Sequence, residues 1–169
     1  MLADRMRTAR LVLRRSRPPD APLIFERWAQ DQEVTRYLTW RPHASLAETA
    51  ALVQRWVAAW TGGQRLPWLI TLAEADEPIG MIELRREGFM ASLGYVLARF
   101  AWGHGYMTEA VREVAAQWLA LPGSWRVWAV CDVDNAASAR VLERAGLEQE
   151  GRLRRYIVQA NISPDPRDA

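Results

Sequence analysis

The sequence predicts an α/β fold in which helices flank one mixed β-sheet, with the element order β-α-α-β-β-β-α-β-α-β. Apolar segments that are short, continuous or alternating with polar residues, the first at 10–16, are typical of strands. Between them lie segments in which apolar residues recur at helical spacing behind capping residues. A chain of 169 residues, 50% hydrophobic and 25% charged, suffices for a single domain spanning 1–169.

Two helices are predicted after the first strand. The segment 18–30 carries apolar residues on successive helical turns, and Asp20 is expected to cap its N-terminus. The segment 45–60 predicts a longer helix, because Ser45 and Glu48 have the spacing of a capping box. Its apolar residues fall on one face, so we expect that face to pack on the sheet.

Five strands and two helices are predicted in the rest of the chain. Asn135 is expected to cap the last helix, and Gly146 lies just past its end. The predicted elements are strands at 67–76, 79–87 and 92–99, a helix at 104–120, a strand at 125–132, a helix at 135–146 and a final strand at 147–158.

The composition excludes several classes of function. No apolar run reaches about 18 residues and no signal peptide is apparent, so we expect a cytoplasmic protein that does not enter a membrane. A net charge of +2 gives no reason to expect a nucleic-acid partner. The chain contains no Lys, which excludes a Walker-type phosphate loop. Cys131 is the only cysteine and the two histidines are distant in sequence, so no disulfide and no metal site are expected.

The stretch 102–110, Trp-Gly-His-Gly-Tyr-Met-Thr-Glu-Ala, has the features of an anion site. Gly103 and Gly105 can adopt positive φ and let a ligand approach the backbone. The helix behind them offers unpaired N–H groups and the positive end of its dipole, which suits a phosphate. A dinucleotide fingerprint is absent, because Thr108 stands at its third glycine position. On spacing alone, a tight turn that binds no ligand explains the two glycines equally well.

Two motifs at a defined separation carry a family resemblance. They are Trp-Gly-x-Gly-Tyr-x-Thr-Glu-Ala at 102–110 and Asn-x-x-Ser-x-x-Val-Leu-Glu at 135–143, and further similar segments run from "TARLVLRRS" at 8–16 to "PRD" at 166–168. The sequence thereby resembles the GNAT superfamily of acyl-CoA-dependent acetyltransferases, in particular its RimJ/RimL-like branch of ribosomal-protein N-terminal acetyltransferases. The resemblance implies a GNAT-like fold, acetyl-CoA as co-substrate and transfer of the acetyl group to a primary amine.

The resemblance also implies roles for individual positions. The glycine loop would hold the pyrophosphate of acetyl-CoA through main-chain N–H groups, and the preceding strand would pair with the pantetheine arm. Asn135 and Ser138 match positions near pantetheine or the thioester, although helix capping also explains them. The expected cofactor-binding residues are Tyr95, Val96, Leu97, Trp102, Gly103, His104, Gly105, Tyr106, Met107, Thr108, Asn135 and Ser138.

The implied reaction is direct attack of a neutral amine on the thioester. A strand N–H near Val96 is expected to bind the developing oxyanion, and Ser138 to donate a proton to the departing thiolate. Many relatives carry Glu where this chain has Ser92, so Glu83 is the substitute candidate for a catalytic base, with a solvated strand position as its alternative. A weak base favours an α-amino group, whose pKa is about 7.7–8.0, over a Lys side chain at about 10.4.

The acceptor is expected over the segment 36–43, where Trp40 and Arg41 would line an amine channel. The acceptor is either a protein N-terminus or a small-molecule amine. For the protein as a whole, the alternative to an enzyme is a module that binds acyl-CoA without catalysis. Both a monomer and a homodimer fit the sequence. Relatives continue after the Pro-Arg-Asp segment with a strand, so we also expect a further strand outside this chain or supplied by a partner.

Overall fold

The computed structural model describes residues 2–169 and contains one main sheet. Its strands are β1 (Arg5–Arg7), β2 (Leu11–Arg14), β3 (Arg65–Leu72), β4 (Pro78–Glu87), β5 (Met90–Leu97) and β6 (Arg126–Trp128). They lie side by side in chain order. Every neighbouring pair is antiparallel except β5 and β6, which run parallel. The predicted class, a mixed sheet flanked by helices, is confirmed.

The helices of the described chain are α1 (Ala21–Ile24), α2 (Gln32–Thr35), α3 (Leu46–Gly62), α4 (Tyr106–Leu119) and α5 (Ala136–Ala145). α1 follows a 3₁₀ turn and continues into a π-helical turn at Phe25–Ala29. α3 begins as predicted at Ser45, whose hydroxyl accepts the Glu48 N–H at 3.4 Å. None of these helices has the length and apolar character needed to cross a bilayer.

Apolar side chains pack on both faces of the sheet, because successive strand residues point to opposite sides. One face carries Ile82 and Leu84 of β4 and is covered by the buried stripe of α4. The other face carries Leu69 and Val96 and is covered by α1 and α3. The sheet, with β5 in it, therefore lies between α4 on one face and α1 and α3 on the other.

Asp20 has a role that differs from the predicted cap. Its buried carboxylate accepts two hydrogen bonds from the Arg14 guanidinium, at 2.8 and 2.9 Å, and one from the Arg17 N–H at 2.7 Å. No side-chain hydrogen bond from Asp20 caps α1. The buried Arg14 competes for this carboxylate, and a local sequence pattern does not reveal that partner.

The predicted end of the sheet is wrong. The strand expected at 125–132 pairs only over β6, and the final strand expected at 147–158 is reduced to β7 (Ile157–Val158), which pairs with β8 (Pro166–Arg167) in a separate sheet. Residues 148–156 are all exposed, so neither set of alternating side chains in this segment packs against the core and no strand is stabilised there. Among residues 2–169 no strand pairs with the outer edge of β6, and the expectation of a further strand stays a prediction.

Candidate active site

β5 and β6 enclose a gap that begins where their pairing stops. The two strands pair only between Met90–Ser92 and Arg126–Trp128. β5 nevertheless stays paired with β4 as far as Leu97. One backbone edge of β5 therefore faces open space from Leu93 onward, and such an edge suits an extended ligand with amide donors and acceptors.

The hydrogen-bond alternation identifies which residues of β5 face this gap. Ala98 donates its N–H to the Ile79 carbonyl of the β4 edge at 2.8 Å. Residues two apart in an antiparallel strand point their backbone groups the same way, so Val96 also pairs with β4. Tyr95 and Leu97 present their backbone groups to the gap, where the Leu97 carbonyl already accepts the Trp102 indole N–H at 2.7 Å. The N–H groups near Val96 that remain available for an oxyanion are therefore those of Tyr95 and Leu97, whereas the main chain of Val96 itself, expected to pair with pantetheine, faces β4.

The glycine loop between β5 and α4 has the backbone conformation that the motif predicts. Gly103 has φ 79° and Gly105 has φ 75°, a region that costs residues with a Cβ about 1–2 kcal/mol. A Cβ on Gly103 would meet no atom within 4 Å, and one on Gly105 would meet only Arg10 Nη2 at 3.6 Å. Protein packing does not fill this space, which leaves it open to a ligand.

The loop also offers hydrogen-bond donors. Within the described chain, the N–H groups of Gly103, His104 and Gly105 make no backbone hydrogen bond, and the first turn of α4 adds its own unpaired N–H groups. His104 stacks on Tyr106 with ring centroids 5.3 Å apart. The Met107 side chain is buried in the core, so only its backbone can face a ligand. These residues fit the phosphate role expected of them, because donors converge on an open helix N-terminus.

α5 brings Ser138 to the side chain of Tyr95. The Tyr95 hydroxyl lies 2.7 Å from Ser138 Oγ and also donates to the Ser138 carbonyl at 3.3 Å. Asn135 accepts the Ser138 N–H at 3.1 Å through Oδ1, which is the predicted cap. Its Nδ2 makes no hydrogen bond within residues 2–169 and stays available to a ligand. Sequence reasoning used only the backbone of Tyr95 and missed its hydroxyl.

Burial keeps the acidic groups around Ser138 protonated. It raises the pKa of Tyr95 to about 12, against a smaller opposite effect of the hydrogen bond with Ser138. Burial also raises the pKa of the Cys131 thiol, which lies near Ser138. A protonated thiol is a poor nucleophile, whereas a phenol and a serine hydroxyl in contact supply protons for a leaving group.

Glu83 lies on the α3 face of the sheet in an ion-pair cluster. Its side chain is 2% exposed. Oε1 accepts Arg65 Nε at 2.8 Å, and Oε2 accepts Arg65 Nη2 at 3.0 Å and Arg85 Nε at 2.6 Å. Both oxygens are therefore committed to guanidinium groups, and the expected solvated position is wrong. A role as base would first require one of these ion pairs to open.

The loop that follows α2 contains the expected acceptor residues. Trp40 is partly buried and packs against His43 at 5.1 Å between ring centroids. Arg41 is exposed and makes no ion pair in the described part of the chain. Asn161, which sequence reasoning missed, donates through Nδ2 to the carbonyls of Thr35 at 2.7 Å and Trp40 at 2.8 Å. The C-terminal segment thus fixes this loop, and no local sequence pattern indicated this contact.

A metal site is not apparent in the structure. Over residues 2–169, no group of three or more His, Cys, Asp or Glu side chains is arranged to hold an ion. The donors that converge on the gap are hydroxyls and backbone N–H groups, which suit anions and polar organic ligands.

Comparison with known proteins identifies consistent relatives. A family model described as an acetyltransferase (GNAT) domain matches residues 10–148. The uncharacterized N-acetyltransferase YoaA of Bacillus subtilis is 31% identical over 157 residues, which is 91% of this chain and 88% of that protein. Similar solved structures include the microcin C7 self-immunity acetyltransferase MccE in complex with acetyl-CoA and AMP, with a TM-score of 0.84 and 17% identity over 95% of this chain and 89% of that one. RimL, a ribosomal L7/L12 alpha-N-protein acetyltransferase in complex with coenzyme A, has a TM-score of 0.83 and 23% identity over 95% of this chain and 91% of its own.

Proposed function

The chain belongs to the GNAT family of acetyl-CoA-dependent N-acetyltransferases, and we propose that its acceptor is the α-amine of a protein N-terminus. The observation that carries the proposal is the hydroxyl pair of Tyr95 and Ser138 at the gap. This pair can supply a proton to a leaving group. Neither the Tyr95 nor the Ser138 side chain hydrogen-bonds to a carboxylate that could remove a proton from a strongly basic amine.

In this proposal the donor occupies the gap between β5 and β6. The Gly103–Gly105 loop and the first turn of α4 hold its phosphates through backbone N–H groups. The edge of β5 at Tyr95 and Leu97 pairs with the pantetheine amides, and Asn135 Nδ2 is a further donor. The thioester then lies close to Ser138.

The chemical step is direct aminolysis. The neutral amine forms a C–N bond at the thioester carbonyl, and a gap-facing N–H of β5 stabilises the oxyanion. When the C–S bond breaks, Ser138 Oγ gives its proton to the thiolate and Tyr95 replenishes it through the 2.7 Å contact. The amine nitrogen loses its own proton to water, and Tyr95 regains a proton from water, which returns both hydroxyls to their starting state.

The choice of acceptor follows from the lack of a strong base. Glu83 is held by two guanidinium groups, and Ser92 stands where many relatives have Glu. Near pH 7.4 roughly a third of an α-amine is neutral, against about 0.1% of a Lys side chain. An enzyme that relies on water to remove the proton therefore favours N-terminal amines by about 10²-fold. The fold similarity to RimL, an alpha-N-protein acetyltransferase, supports the same acceptor class.

A small cationic amine is disfavoured by the position of the acidic residues. The Asp31 carboxylate caps α2 by accepting the Glu33 N–H at 2.9 Å. Its other oxygen pairs with Arg99 at 2.9 Å. Asp31 is therefore not free to bind a diamine, which leaves the exposed Glu33 as a single carboxylate in this segment.

The proposal is tested with three acceptors and acetyl-CoA. One is a Lys-free peptide with a free N-terminus, one is the same peptide with a blocked N-terminus and a single Lys, and one is a small diamine. Thiol release and mass-spectrometric location of the acetyl group should show at least about 10²-fold higher kcat/KM for the free N-terminus. Equal or higher kcat/KM with the Lys peptide or the diamine would overturn the proposed acceptor.

A further inference from the structure

Arg10 connects the start of β2 with the glycine loop and α4. Its backbone N–H donates to Glu109 Oε1 at 2.9 Å, and its Nε donates to Glu109 Oε2 at 2.7 Å. Its Nη1 donates to the His104 carbonyl at 2.9 Å. The guanidinium also lies 4.9 Å from the centroid of the Tyr106 ring. One side chain therefore holds the loop at its middle residue and at the helix that follows.

The partner of Arg10 is itself held in place. Thr8 Oγ1 donates to Glu109 Oε1 at 2.6 Å. Burial by itself favours the neutral form of Glu109, but the hydrogen bonds from Thr8 and Arg10 outweigh it and lower the pKa of this carboxyl. Glu109 is therefore ionised at neutral pH and gives Arg10 a defined orientation.

One nitrogen of the Arg10 guanidinium has no hydrogen-bond partner in the described chain. Arg10 Nη2 makes no hydrogen bond to any residue in 2–169. It lies 3.6 Å from the position that a Cβ on Gly105 would occupy. The side chain is 49% exposed, so a ligand can reach it.

We propose that Arg10 is a ligand of the acetyl-CoA pyrophosphate: Nη2 donates to a phosphate oxygen, while Nε and Nη1 hold the loop that cradles it. This inference rests on acetyl-CoA as the donor and does not depend on the acceptor. A guanidinium suits the task because its rigid fork serves carboxylate, carbonyl and phosphate oxygens at once. The chain contains no Lys to supply this charge, and Arg99 beside the loop is paired with Asp31.

The test compares Arg10→Ala and Arg10→Lys with Arg5→Ala. Arg5 is an exposed residue of β1 with no ion pair in the described chain, so its substitution changes the net charge equally. Calorimetry measures the Kd of coenzyme A and of dephospho-coenzyme A at two salt concentrations, and ligand-free melting reports the fold. None of these measurements needs an acceptor, so failure of the proposed function would not affect them.

Arg10→Ala is expected to raise Kd for both ligands about tenfold to hundredfold, because a charge-assisted hydrogen bond is lost. The salt dependence of Kd should weaken with it, since a charged contact is removed. Arg10→Lys should keep the salt dependence and lose part of the affinity, and Arg5→Ala should match the wild type. An unchanged Kd, or a raised Kd with the full wild-type salt dependence, would show a structural ion pair only. A loss seen with coenzyme A alone would assign Arg10 to the 3′-phosphate and also overturn the proposal.

Discussion

Replacing Tyr95 by Phe removes only the hydroxyl that lies 2.7 Å from Ser138 Oγ and keeps the ring in the core. A neutral hydrogen bond of this kind contributes about 1 kcal/mol, so we expect a stability loss of that size. If the bond also orients Ser138 for proton transfer, the same energy corresponds to a kcat lowered roughly five- to tenfold. Ser138→Ala removes the donor itself and is expected to lower kcat by about 10²-fold or more.

The two substitutions should not be additive. Tyr95 acts on the leaving thiolate only through Ser138, so the double variant should have the kcat of Ser138→Ala alone. The KM for acetyl-CoA should change little, because the contact with the thiolate strengthens in the transition state. Tyr156→Phe is the matched control, since this side chain is exposed and its hydroxyl makes no hydrogen bond within residues 2–169.

The assay is thiol release from acetyl-CoA at a fixed acceptor concentration, with the melting temperature of each variant measured alongside. A kcat near wild type in folded Ser138→Ala would refute proton donation by Ser138 and leave water as the source. Fully additive losses would show that Tyr95 acts independently of Ser138. Because the pKa of Tyr95 is raised to about 12, no loss of activity from its ionisation is expected below about pH 10.

Three further predictions concern the loop, the ion-pair cluster and the acceptor side. Coenzyme A at 100 times its Kd should stabilise the wild type by about 2.7 kcal/mol, and NAD should not. Gly105→Val should abolish the melting shift caused by coenzyme A, because φ is 75° at this position. A wild-type melting temperature unaffected by coenzyme A would contradict the assignment of the loop as its binding site. Glu83→Gln should lower the unfolding free energy by about 1–3 kcal/mol and preserve kcat, whereas lost activity in a fully stable variant would make Glu83 the base. Burial lowers the pKa of His43, so on acidification the unfolded chain takes up a proton before the folded chain does. The unfolding free energy should therefore fall as pH drops below about 6.5. Urea unfolding of His43→Gln should show a smaller fall, and a pH dependence equal to that of the wild type would exclude His43 as its source.

Several features of this protein were determined by local sequence. The helices α3, α4 and α5 follow from apolar periodicity and from end signals such as Ser45 and Asn135, which act within one turn. The positive φ of Gly103 and Gly105 follows from the residue type and the turn it enters. The family motifs likewise lie in continuous segments, so the fold class and the co-substrate acetyl-CoA could be predicted without coordinates, whereas the donor-site residues stay a prediction.

Tertiary structure alone decided the contacts on which the proposed site depends. Tyr95 meets Ser138 across 43 residues, Arg10 meets Glu109 across 99 residues, and Asn161 reaches Thr35 across 126 residues. The length of β6 was also decided this way, because an apolar segment extends as a strand only as far as a neighbour pairs with it. Periodicity and capping report interactions within a few residues, whereas these contacts depend on how the sheet and its helices pack, which no local pattern encodes.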